Sequence, residues 1–95
     1  MTYAFIIMGD FNYIADHAAI HNGTAQIIGV SNLSEACSIA EQLWKNGVGC
    51  IELCGAFGEK GAEMVIKATH NEIPVGYVTH LPKQDKLYFS IFGDK

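Results

Sequence analysis

The segment Gly49-Cys50-Ile51-Glu52-Leu53-Cys54-Gly55-Ala56-Phe57-Gly58 decides the fold, because an apolar run of strand length passes directly into a glycine-rich turn and then into a helical pattern. Downstream, Glu59 to His70 reads as a helix with Ala62, Val65 and Ile66 turned inward. Upstream, Asn32 with Glu35 three residues later forms a capping pair, and Ala36, Ala40, Leu43 and Trp44 make one apolar stripe ending at Asn46-Gly47. The segment is therefore a strand held between two helices.

Further outward the alternation continues. Tyr3 to Met8 and Ala25 to Val30 are apolar runs of strand length, and Pro74 to Thr79 is a fourth. Tyr13 to Asn22, closed by Asn22-Gly23, has the chemistry of a short helix and its C-terminus. Leu87 to Phe92 reads as a fifth strand, reached through the polar turn Pro82 to Lys86. Strands alternating with helices predict an α/β domain: a small, mainly parallel sheet of four to five strands with about three helices on its faces, the last strand antiparallel. A ferredoxin-like α+β sandwich is the alternative, since the first connection is short. Residues 1–95 form a single domain, and a chain of that length hides only about 60–65% of its unfolded surface, enough for one modest core.

Hydrophobic residues make up 49% of the chain and charged ones only 17%, which leaves few charges to cover the outside and predicts a homo-oligomer. A monomer coated with Gly, Ser, Asn and Thr is the plainer alternative. The net charge is −4, and the only cations are six scattered lysines, so no nucleic-acid partner is expected. Without arginine, a bound anion must be held by backbone N–H groups or by lysine. Three cysteines, a start without a basic region and no apolar run of membrane-spanning length point to a reduced, cytoplasmic protein with no membrane partner. Cys50 and Cys54, four residues apart on a strand, are separated by about 13 Å, too far for a disulfide or a shared metal. Cys37 reads as a small core residue.

In a parallel sheet the carboxyl ends of the strands share one edge, where open α/β sheets bind ligands. Asp10 and Asn12 follow the first strand, Ser31 and Asn32 the second, Cys54 to Gly58 the third, and Thr79 and His80 the fourth. Phe11 and Phe57 can supply apolar walls. Gly55, Ala56, Phe57 and Gly58 free backbone N–H groups at a helix start to face an anion, although Glu59 opposes a phosphate there and the glycines also suit a tight turn. Glu52 interrupts a strand that reads as buried on both sides. It is either a structural carboxylate, paired with lysine or buried between subunits, or a general acid/base. Cys54 and His80 form a thiolate–imidazole pair if their strands are neighbours; otherwise they are an inert thiol and an edge imidazole. His17 and His21, four apart, share a helix face in this reading, without the glutamate or third ligand of a zinc motif, so no metal or other cofactor is assigned. His70 falls at a helix end, where it complements the dipole.

Through Ala4-Phe5-Ile6, Ile28-Gly29-Val30, Ile51 to Gly58 and Pro74-Val75-Gly76, the chain resembles a small uncharacterised prokaryotic family of about this length, a domain of unknown function. The family usually has a second glycine where this chain has Ala56. A partial similarity runs from Ala40 to Val78, which looks like one stretch of a Schiff-base keto-acid aldolase barrel, and that resemblance implies a proton-transfer role for Glu52. The chain is far shorter than a barrel of about 250 residues, and no later strand carries a matching lysine.

Two function classes follow. One is an oligomeric module binding a small polar or anionic metabolite at the strand ends through Gly55 to Gly58, with Asp10, Asn12, Asn32 and His80 fixing orientation. The other is a small isomerase or lyase moving a proton next to a carbonyl, with Glu52 or His80 as base and Cys54 as partner. A purely structural role is the third reading, in which Tyr88 to Phe92 pairs as a strand with another subunit.

Overall fold

A computed structural model describes residues 1–93. Five strands, β1 (Tyr3–Met8), β2 (His17–Ile20), β3 (Ala25–Val30), β4 (Cys50–Leu53) and β5 (Val75–Tyr77), form one sheet in the order β2-β3-β1-β4-β5. β3, β1, β4 and β5 are parallel, and β2 runs antiparallel to β3 at one edge. The helices are α1 (Leu33–Lys45), α2 (Gly58–Ala68) and α3 (Asp85–Phe92). The chain is thus α/β with a mainly parallel sheet, and the parallel pairing rules out the ferredoxin-like alternative.

Two segments exchange roles relative to the sequence reading. The stretch expected to be the first helix is a loop followed by β2. His21, Asn22 and Gly23 all adopt positive φ in the turn between β2 and β3. Asn-Gly serves a hairpin as well as a helix end, because both need left-handed backbone. The segment expected as the last, antiparallel strand is α3. Leu87 to Phe92 is an apolar run broken at Ser90, and its periodicity favours neither state. Its borders decide: Pro82 opens a 3-10 turn, Asp85 lies in the first turn of the helix, and Gly93 follows its end at φ 82°. The antiparallel strand is therefore β2.

Strand positions β3, β4 and β5 advance in one direction across the sheet. Right-handed crossovers then place α1 and α2 on the same face, where they pack against each other. Ala4 and Ile6 of β1, Ile28 and Val30 of β3, and Ile51 and Leu53 of β4 meet Ala36, Ala40, Leu43, Ala62 and Val65 in a single core. Asn32 caps α1 as expected, its side chain accepting from the Glu35 N–H. Trp44 reaches past the core to donate to Glu72 at 3.0 Å and lies 4.3 Å from the His70 ring, which is the place His70 takes at the end of α2.

Among the described residues, no helix packs on the opposite face of the sheet. Tyr3 and Phe5 of β1 and Ile27 of β3 lie on it, each about two-fifths exposed, beside Ala18 and Ile20 of β2. Cys50 and Glu52 point to this side of β4, while Ile51 and Leu53 point into the core. The expectation that β4 is buried on both sides is thus corrected: one side is core and the other is only half-covered.

Candidate functional site

The parallel strands bring their carboxyl ends to one edge, and β4 and β5 are neighbours there. After β4 the chain makes a 3-10 turn, Gly55 to Phe57, and enters α2 directly. Phe57 turns into the core, which anchors the turn. Gly58 has φ 62° and ψ −174°, a backbone state open essentially to glycine alone, so the entry to α2 depends on this residue. Ala56 has no positive φ, and the glycine usual at this position in the resembling family is not required by the backbone. Among the described residues no side chain caps the first turn of α2, and its leading N–H groups have no intrahelical acceptor.

These N–H groups border an open cleft of about 750 Å³. One wall is Gly55 to Lys60, the second is the end of β5 with Thr79 and His80, and the third is α3 through Asp85 and Tyr88. His80 Nε2 lies 2.7 Å from Asp85 Oδ1, so the carboxylate fixes the imidazole and leaves Nδ1 as its free nitrogen. The imidazole also stacks on Tyr88 at 4.3 Å, with the Phe89 edge at 6.1 Å. Lys60 and His80 are the basic groups of the cleft, and Glu59, Glu63 and Asp85 are its acids. The cleft therefore sets few basic groups against more acidic ones.

Of the residues expected at the site, Gly55, Ala56, Phe57, Gly58 and His80 line this cleft. Others are used elsewhere. Asn32 is spent on the α1 cap. Asn12 Oδ1 accepts from the N–H groups of Ile14 and Ala15, closing the loop before β2, and its own N–H donates to Asp16. Asp10 is exposed on the same loop and is not among the cleft-lining residues. Cys54 directly precedes the glycine turn, but its Sγ accepts from the Met8 N–H at 3.3 Å, and the thiol is not among the cleft-lining groups.

Glu52 stands on the helix-free face, one row back from the edge, beside Gly76 of β5. A Cβ at Gly76 would lie 2.9 Å from Glu52 Oε2, so the glycine makes room for the carboxylate. Cys50 Sγ donates to Glu52 Oε1 at 3.6 Å. Burial, then this hydrogen bond and the adjacent negative charge, push the Cys50 thiol above its ordinary pKa, and burial alone raises that of Cys37. Cys50 is therefore a poor nucleophile at neutral pH.

His17 and His21 share no helix face: His17 is on β2, bonded to Gln26 at 2.9 Å, and His21 is in the left-handed turn. Among the described residues, no helix is long and apolar enough to cross a membrane. Lys60, Asp85 and Tyr88 line the cleft without having been expected there, the last two because a strand over this segment hides their relation to His80. The available signal was Asp85 placed five residues after His80 and ahead of an apolar run.

No curated protein and no solved structure matches the chain. A family model does match, over residues 1–93, and the chain belongs to that family, DUF6506, a family of unknown function.

Proposed function

We propose that this chain is a homo-oligomeric cytoplasmic module that binds a small polar or anionic metabolite in the cleft between the start of α2, the end of β5 and α3. The observation that carries this reading is the uncapped start of α2 opening on that cleft, with Lys60 and His80 beside it. The mixed lining favours a metabolite with hydroxyl or carbonyl groups as well as a carboxylate. Native mass spectrometry of freshly purified protein tests it. Retained mass above multiples of the 10.3 kDa chain, absent from Lys60→Ala and His80→Ala variants, supports the reading. Bare protein whose amide NMR spectrum is also unmoved by millimolar phosphate or malonate overturns it.

The His80–Asp85 pair favours a second reading, a small isomerase or lyase in which His80 takes a proton next to a carbonyl and Asp85 holds its ring. Glu52 and Cys54 stay outside the cleft lining, so His80 is the base this reading selects. Deuterium incorporation from D₂O into small keto acids, lost in His80→Gln, is its signature. No incorporation across a panel of such acids argues for the binding module instead.

A further inference from the structure

We infer that the helix-free face of the sheet is the contact between two copies of this chain, packed sheet against sheet about a two-fold axis. This deepens the oligomer half of the proposed function and is independent of what the cleft binds. A mainly parallel sheet is stable with both faces covered, since its crossovers ordinarily supply helices on each side. Here both crossover helices lie on one face, and the other shows side chains that water does not favour.

The area fits a second copy. Tyr3, Phe5 and Ile27 are 43%, 42% and 42% exposed and Ile20 is 70% exposed, while Phe11 folds over Gly29 on the same side and is 37% exposed. At about 200 Å² for a large side chain, these leave about 450 Å² of mainly apolar surface in one patch. A stable interface of standard size removes about 800 Å² per partner, of which about 450–520 Å² is apolar. The patch is thus the size of the apolar centre of such an interface, and an apolar patch is complementary to itself without any opposite charge. Ala18, Ile20, Ala25 and Ile27 with Phe5 line a hollow in its middle that presents no polar surface, a seat for a partner side chain. Among the described residues no lysine stands on the strands of this face, which disfavours an acidic lipid surface or a nucleic acid as its occupant. Glu52, the carboxylate on the described strands of this face, lies a strand away from the hollow, towards β5.

Light scattering coupled to size exclusion, with sedimentation over micromolar concentrations, tests the inference on the full chain. The wild type is expected at twice 10.3 kDa, and Ile27→Lys and Phe5→Lys at 10.3 kDa with unchanged far-UV circular dichroism. Both side chains are already partly in water in the protomer, so lysine there is solvated once the copies part. Ile27→Cys supplies a second readout, an intersubunit disulfide on oxidation that reduction reverses. Leu87→Lys, on α3, serves as the control and leaves the mass unchanged. A dimer that survives the two face variants and does not cross-link, or that falls to Leu87→Lys, overturns the face while leaving an oligomer. A wild-type monomer at all concentrations overturns both the face and the oligomer, whatever the cleft retains.

Discussion

Replacing Asn32 by alanine separates a structural duty from a binding one. Asn32 has extended backbone, φ −160° and ψ 172°, and its Oδ1 accepts from the Glu35 N–H at 2.8 Å. Glu35 answers by accepting from the Ser31 N–H at 2.9 Å, so two donors at the start of α1 depend on this pair. Loss of such a cap costs about 1 kcal/mol, within a range of about 0.5–2. For a domain of about 100 residues this lowers the melting temperature by about 4–8 °C. Urea denaturation followed by circular dichroism measures it, and Asn32→Asp or Asn32→Ser is expected to keep most of the stability because either oxygen accepts the same bond. Under the proposed binding role, whatever mass the wild type retains is expected to be unchanged in all three variants. A loss below about 0.3 kcal/mol in Asn32→Ala, or failure of both short polar residues to restore it, refutes the capping account. Ligand lost at unchanged stability returns Asn32 to the binding site.

Three further outcomes are expected. Gly58→Ala, at φ 62° and ψ −174°, is destabilised by about 1–3 kcal/mol in the same urea assay, and a neutral result would show that α2 can start another way. Alkylation of Cys50 has its pH midpoint above the ordinary thiol value of 9.0, and Glu52→Gln moves it down by removing the carboxylate that both accepts from the thiol and repels the thiolate; an unmoved midpoint leaves burial as the sole cause. The sign for stability follows: a thiol raised on folding contributes fully below its unfolded pKa, and that contribution is lost as pH rises through the folded value. Finally, α3 buries none of its residues, so Tyr88→Ala, which removes the stack on His80, is expected to speed hydrogen exchange over Asp85–Phe92 while leaving β1 and β4 protected. Equal protection with and without Tyr88 refutes that anchoring.

The elements legible in the sequence were those with two agreeing signals. α1 has a cap, a stripe of Ala36, Ala40 and Leu43, and Asn46 after its end, and the structure reproduces each. β4 and the turn after it were legible because an apolar run met glycines at the start of an amphipathic helix. β2 and α3 were not, and for one reason: neither buries a side chain, so neither carries the periodicity that a core imprints. Asn22-Gly23 and Leu87 to Phe92 have chemistry that two structures can use. The cleft suffered the same loss. Its β4 side was legible through Gly55 to Gly58, but its α3 wall depended on reading Asp85 and Tyr88 as helical. The open face was hidden because strand order, rather than composition, decides on which side each crossover lies.

Glu52 shows how strand order changes the meaning of a residue. On a strand covered twice, a carboxylate needs a cation, and removing either member of a buried pair costs about 3–5 kcal/mol. Among the described residues, Lys45 pairs with Glu41, and His80 contacts Asp85 in a pair that is ionic only when the imidazole is protonated; neither includes Glu52. Its partner is the thiol of Cys50, and its room is the space a side chain at Gly76 would fill. Half-covered rather than buried, the carboxylate keeps part of its hydration, so nothing in the protomer demands a counter-charge. Glu52→Gln is therefore expected to change the stability of the Ile27→Lys protomer by no more than about 0.5 kcal/mol, measured by urea denaturation. A loss of about 3 kcal/mol or more would mean that a cation does reach Glu52, and the structural ion pair would then displace this account. The Ile27→Lys background is used because, in the proposed dimer, a change at Glu52 would alter association as well as folding.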